Sequence, residues 1–258
     1  MVAPPLELIN VSKAFGGLRV THNVSFSVAA SGITALIGPN GAGKTTIFNL
    51  VSGVYSVDSG QILLEGTDVT NVPSRFRIRH GITRNFQNIR LMQHLTVTEN
   101  LMLGQHIKTS GWKDLVRPFR LFPNYKWQRE AREALAEAGL MEYADATVTA
   151  LPYGIRKRVD LVRALMSGPR LLMLDEPAAG LNSSESNDLM EDLSRVSKAG
   201  VALLIVEHDM NFIRNLCEQI IVLNFGEKIA EGSMAEIQKN PAVREAYLGT
   251  DEGDDHDP

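Results

Sequence analysis

At 258 residues the chain is long enough for one elaborated α/β domain or two small ones. Its 44% hydrophobic content predicts an ample core, yet the longest apolar runs, such as Val201-Ala202-Leu203-Leu204-Ile205-Val206, are too short to span a bilayer. A net charge of −4 gives no global basic field of the kind nucleic-acid binding uses, and one cysteine, Cys217, excludes an internal disulfide and suits a reducing cytosol.

Met1-Val2-Ala3-Pro4-Pro5 carries no basic n-region, so no secretory signal is expected. Residues 6–12 and 20–28 alternate apolar and polar side chains, predicting half-buried strands with Gly16-Gly17 in the turn between them. Ile33-Thr34-Ala35-Leu36-Ile37 predicts a short buried strand, and Ile47, Phe48, Leu50 and Val51 predict a helix opening near Gly43. Between them lies Gly38-Pro39-Asn40-Gly41-Ala42-Gly43-Lys44-Thr45, followed by Thr46. This order aims several backbone N–H groups and the positive end of a helix dipole at one point. Lys44 supplies a point charge for β- and γ-phosphates and Thr45 a hydroxyl for Mg²⁺, so the segment reads as a phosphate cradle for a nucleotide. An ordinary glycine-rich turn shares the spacing, but the strand before and the helix after favour the cradle.

Residues 62–66 predict a further strand of the same small sheet, and from about 98 to 166 the periodicity is helical. Buried-strand patterns return at 171–174, 201–206 and 219–224, so the chain reads as an α/β nucleotide-binding core interrupted by a helical subdomain. Asp175 and Glu176 directly follow the apolar run Leu171-Leu172-Met173-Leu174. A strand that delivers carboxylates at its C-terminal end suits a metal–nucleotide site, with Asp175 holding Mg²⁺ through water and Glu176 activating the attacking water as general base. Asn182 with Glu185 three residues on predicts a helix N-cap, and Gly200 predicts that helix's end. Cys217 reads as a small core residue. The segment 108–132 is basic and holds Trp112 and Trp127. A solvated surface, contact with anionic lipid headgroups, and nucleic-acid stacking all remain open for it. The acids Asp251, Glu252, Asp254, Asp255 and Asp257 predict a solvated tail.

In this order the motifs resemble the nucleotide-binding subunits of ATP-binding-cassette (ABC) transporters, over about residues 6–248. The resemblance implies a P-loop NTPase (RecA-like) α/β core with an antiparallel β subdomain and an inserted α-helical subdomain. The single cassette would span 1–250, with core about 1–87 and 166–238, helical subdomain about 88–165, C-terminal helix about 239–249, and an acidic tail 250–258. ATP and Mg²⁺ come with it. Gln87, in Asn85-Phe86-Gln87-Asn88, would be the Q-loop residue contacting metal and attacking water, so that Thr45, Gln87 and Asp175 share the ion. Phe15 would lie against adenine, and His208 would be the switch histidine sensing the γ-phosphate. Pro152, Tyr153 and Gly154, in Leu151-Pro152-Tyr153-Gly154-Ile155, stand where the family signature sits, opening a helix over 156–166 toward ATP bound by a partner subunit. Residues 179–182 match the D-loop.

Pro152 and Ile155 depart from the common Leu-Ser-Gly-Gly-Gln, and Asn182 stands where many relatives carry aspartate. Pro152 offers phosphate neither hydroxyl nor N–H, which bears on the partner's ATP site and not this chain's own. Leu-Pro-Tyr-Gly, with residues 85–91 and 95–100, is similar to the ATPases of branched-chain amino-acid uptake systems. The ending Ile229-Ala230-Glu231-Gly232, Asn240-Pro241 and Ala246-Tyr247-Leu248-Gly249 resembles their C-terminal helix, and 108–126 looks like the extra segment of the larger, LivG-type subunit. The resemblance implies a peripheral ATPase on the cytoplasmic face of the inner (plasma) membrane. Its partners would be two integral-membrane permease subunits, a second ABC ATPase in a heterodimer or homodimer, and, indirectly, a periplasmic or surface solute-binding protein. Nucleic acid is not an expected partner. The rival readings are the ATPase of a lipid or lipopolysaccharide exporter and a non-transport ABC ATPase acting on nucleic acid or ribosomes.

Overall fold

The computed structural model describes residues 3–30, 32–85, 89–105 and 125–248. Strands β1 (Leu6–Phe15) and β2 (Leu18–Val28) form an antiparallel hairpin turning at Gly16-Gly17. With β4 (Ser59–Leu64) and β5 (Thr67–Asp68) they make a four-stranded antiparallel sheet, ordered β2-β1-β4-β5. The second sheet contains β3 (Ile33–Ile37), β6 (Ile82–Asn85), β7 (Leu171–Asp175), β8 (Ala202–Val206), β9 (Gln219–Asn224) and β10 (Glu227–Gly232). Its order is β10-β9-β3-β8-β7-β6, parallel throughout except where β10 pairs with β9.

Period-two alternation feeds both covered faces of this sheet. Leu36, Met173, Leu204 and Val206 enter one core, with Leu8 and Phe26 of the antiparallel sheet and Ile47 and Phe48 of α1 (Lys44–Val51). Ile37, Leu174, Leu203 and Ile205 enter the opposite one, with Leu189 and Leu193 of α6 (Ser183–Lys198) and Phe212 of α7 (Met210–Leu216). Full burial of a side chain such as Phe48 contributes roughly 1.5–3 kcal/mol. A third core contains Val97, Leu101, Leu135, Val159 and Val162, among α3 (Val97–Gly104), α4 (Tyr125–Glu137) and α5 (Tyr153–Leu165). Arg158 of α5 locks this layer to α6 through a two-point pair with Asp192, at 2.6 and 3.2 Å. The short α2 (Ser74–Arg77) completes the first half of the chain.

Several elements differ from the sequence expectations. β6 escapes the periodicity because Ile82-Thr83-Arg84-Asn85 carries one aliphatic side chain and pairs only with β7 at the sheet edge. Ile229-Ala230-Glu231-Gly232, expected with the terminal helix, belongs to β10. The helix expected over about 239–249 forms as α9 (Pro241–Leu248), and a separate short helix, α8 (Met234–Lys239), precedes it. Asn240 leaves helical geometry at ψ 120°, and Pro241 starts the next helix where its missing N–H is tolerated. The helix expected over 156–166 begins at Tyr153. Pro152 is its N-cap at φ −55° and ψ 155°, which leaves Tyr153, Gly154 and Ile155 as the first turn. Gln87, most of 108–132 and the tail 250–258 lie outside the described residues. Among the described residues no helix is long and apolar enough to cross a membrane.

Candidate nucleotide-binding site

β3 runs directly into the glycine-rich loop. Gly38 follows it at φ 151°, and a Cβ there would meet the Leu223 carbonyl oxygen of β9 at 2.1 Å, so only glycine turns this close to the sheet. Gly43, at φ 99°, is the N-cap of α1 in the left-handed region. Among the described residues no side chain caps α1 and no acid stands in its first turn, so its opening N–H groups suit an anion. Lys44 is 7% exposed, and its Nζ donates to Gly38 O at 2.6 Å and Pro39 O at 2.9 Å, curling around the loop. Burial pulls its pKa below the ordinary lysine value, while the nearby Glu176 and Asp175 carboxylates raise it again. Asn40 and Gly41 are exposed at the tip, Pro39 is half-buried and Ala42 buried, with Thr45 exposed and Thr46 half-buried on the first turn of α1. Phe15, at the end of β1, is 40% exposed and meets the Tyr55 ring edge-on at 5.1 Å. Its strand end is pinned by Asp58, which pairs with Lys13 at 2.6 Å and accepts from Ala14 N at 2.8 Å.

Asp175 ends β7 in register with Val206 of β8. The next residue, Glu176, sits at φ 48°, a left-handed conformation that costs a non-glycine residue about 1–2 kcal/mol. Its N–H still bonds Val206 O at 2.8 Å, and the turn brings Glu176 Oε1 to 3.2 Å from His208 Nε2. β8 lies between β3 and β7. The loop 38–45, the Asp175-Glu176 pair and His208 therefore leave the same C-terminal edge of one parallel sheet, where open α/β sheets place their ligands. The Thr45 hydroxyl and the Asp175 carboxylate are hard oxygen donors, which fit Mg²⁺. Among the described residues no three His, Cys, Asp or Glu form a metal cage, and Mg²⁺ commonly binds through one or two side chains plus substrate phosphates.

Sequence reasoning missed Arg84. From β6 its Nη2 donates to Asp175 Oδ2 at 3.0 Å and its Nη1 to Asn49 Oδ1 of α1 at 2.6 Å. A basic residue three positions before Gln87, inside a stretch with one aliphatic residue, is the signal that could have found it.

Pro152, Tyr153 and Gly154 gather elsewhere. Pro152 and Tyr153 are exposed and Gly154 is buried. A Cβ on Gly154 would meet Glu185 Oε1 at 2.4 Å, and one on Gly180 would meet the Tyr153 ring at 3.1 Å. Among the described residues, Tyr153 and Gly154 thus pack on the segment 180–185 and not on the cradle. Asn182 and Glu185 form the expected capping box at the start of α6.

Comparison with known proteins agrees with this architecture. The family profile described as ABC transporter matches residues 21–179, and that of the branched-chain amino acid ATP-binding cassette transporter matches 227–253. The chain is 38% identical over 254 residues to the high-affinity branched-chain amino acid transport ATP-binding protein BraF of Pseudomonas aeruginosa, covering 96% of this chain and 99% of that one. It is 37% identical over 259 residues to LivG of Escherichia coli K12, with the same coverage. Among solved structures, the ADP conformation of the ATP-binding cassette MJ1267 superposes with a TM-score of 0.85 at 30% identity, over 96% of this chain and 99% of that one. The chain belongs to the ABC transporter family, as one of its ATP-hydrolysing, ATP-binding subunits.

Proposed function

We propose that this chain energises uptake of branched-chain or related amino acids. The observation that carries this reading is the near-full-length similarity to BraF and LivG, joined to the family match at 227–253. Lys44 and the N–H groups of 38–45 would grip the β- and γ-phosphates, and Phe15 would stack on adenine. Thr45, Asp175 and Gln87 would hold Mg²⁺, which when bound neutralises charge building on the phosphates. Glu176 would take a proton from the attacking water while His208, at its side, senses the γ-phosphate. Pro152, Tyr153 and Gly154, at the N-terminus of α5, would serve ATP held by a second ABC ATPase.

In this reading ATP binding closes the two ATPases and hydrolysis reopens them, moving two permease subunits through the helical subdomain of about 88–165. The core of about 1–87 and 166–238 carries the chemistry. The chain works as a peripheral protein on the cytoplasmic face of the membrane, and a solute-binding protein feeds the permeases. The test is co-expression with candidate permease subunits, reconstitution into vesicles, and measurement of ATP-dependent leucine, isoleucine and valine entry. Entry lost on Glu176→Gln supports the proposal. ATP-driven lipid extraction instead, or nucleic-acid binding at physiological salt with no permease co-purifying, overturns it.

A further inference from the structure

Two buried charges that the mechanism above does not use close on the same three residues. Glu207, 5% exposed at the end of β8, accepts from Ala178 N through Oε1 at 2.7 Å. Its Oε2 accepts from His208 N at 2.8 Å and from Asp209 N at 3.4 Å. Lys157, 8% exposed on α5, donates from Nζ to Glu176 O at 3.3 Å and Pro177 O at 2.8 Å. The segment 176–178 is therefore held by a cation at two successive carbonyls and by an anion at the next N–H. These are charge-assisted bonds, roughly twice as strong as neutral ones. Burial lowers the Lys157 pKa while Glu207 and Glu176 raise it, so the opposite charges lie close enough to sustain each other.

The segment needs such a grip. Glu176 is held at φ 48°, and a cavity of about 30 Å³ bordered by Asn85, Lys157, Asp160, Glu176 and Pro177 lies beside it. That is room for about one water.

We infer that Glu207 and Lys157 are a positioning pair that holds the Glu176 turn in register with His208, Glu207 by bridging the two loops and Lys157 by bracing the turn from the signature helix. Because Glu207 bonds both the Ala178 and the His208 N–H, a displacement of either loop is felt by the other. Because Lys157 rides on α5, a rotation of the helical layer pulls on the carbonyl of Glu176 itself. The inference rests on Glu176 being the base, and the test below reads the grip separately from the chemistry.

In the full chain, Glu207→Gln keeps the side chain's shape but turns one of its two accepting oxygens into a donor facing an N–H. Its kcat for ATP hydrolysis should fall by about 10- to 100-fold, as loss of a supporting residue around a reacting group commonly does. ATP affinity, read by a fluorescent analogue, should stay within about threefold because the cradle 38–45 is untouched. Amide hydrogen exchange at Ala178, His208 and Asp209 should speed up. Lys157→Met should give the same split between kcat and affinity, and it decides the matter should Glu207→Gln not fold. Wild-type kcat in both variants, or a loss of affinity matching the loss of kcat, overturns the inference. Faster exchange beside an active Glu176→Gln enzyme would leave the grip standing and remove the assignment of the base.

Discussion

Arg84 and Asp175 form an ion pair across neighbouring parallel strands, Nη2 to Oδ2 at 3.0 Å, with side chains only 9% and 14% exposed. The guanidinium also reaches Asn49, so one residue ties the end of β7 to the helix that opens from the cradle. Its cation lies 5.5 Å from the centre of the Phe48 ring, which adds a wall of apolar contact. Removing one member of a well-buried pair strands the other charge. Arg84→Ala should therefore lower stability by about 3 kcal/mol in urea unfolding. Arg84→Lys should lie between that variant and wild type, because an ammonium lacks the planar fork that spans both partners. A loss below about 0.5 kcal/mol in Arg84→Ala would assign the pair to the weak surface class.

Glu176 and Lys44 should fail in different ways. Glu176→Gln removes the proposed base but leaves the loop 38–45 intact. Nucleotide binding should persist, hydrolysis should drop by about 100-fold or more, and the closed dimer with a partner ATPase should accumulate. Lys44→Ala removes the cation that now folds onto Gly38 and Pro39, and it should lose nucleotide binding itself. Calorimetric titration and steady-state turnover separate the two. Normal turnover in Glu176→Gln would remove it as base, and normal affinity in Lys44→Ala would remove the cradle's charge from the account.

The contrast between these residues and Arg84 shows what local sequence can carry. The cradle is contiguous, and strand, glycine spacing and helix all lie within about twenty residues, so short-range rules reach it. Asp175 and Glu176 are legible for the same reason, since an apolar run delivers them. Arg84, Lys157 and Glu207 act on partners 91, 20 and 29 positions away. As letters they are ordinary charged residues, and only the fold buries them. β6 fails the periodicity rule because its four residues carry a single aliphatic side chain, so no alternation shows. The first turn of α5 lies three residues ahead of the expected start, because Pro152 stands at its N-cap. There it presets the entry to the helix.

Gly154 and the Asn182–Glu185 capping box should be energetically coupled. Asn182→Ala removes the side chain that accepts from Glu185 N at 3.0 Å and should cost about 1 kcal/mol. Gly154→Ala drives a methyl into the Glu185 carboxylate, which must then release Asn182 N, now bonded at 3.0 Å. Both changes damage one reciprocal motif, so the double variant should depart from the sum of the singles by about 0.5 kcal/mol or more. Strict additivity in denaturant unfolding would separate the first turn of α5 from the segment 180–185.

Cys217 should make the protein sensitive to alkali. Burial chiefly, with the Glu218 and Glu207 carboxylates, pushes its thiol up to about 12 from an ordinary 9.0. Between those values the unfolded chain has lost a proton that the folded chain keeps, so the folded state binds more protons and stability falls as pH rises. The slope from this group alone is about 1.4 kcal/mol per pH unit within that window, and it vanishes below the ordinary thiol pKa. Cys217→Ala should lose some packing at every pH but show a shallower decline between pH 9 and 11. Urea midpoints of the two proteins at pH 8, 9, 10 and 11 measure the difference. Parallel declines would mean that the thiol ionises as easily folded as unfolded. Thiol reagents should tell the same story at pH 8, labelling wild type only as fast as the region around α7 opens, because the reactive thiolate does not form in the packed state.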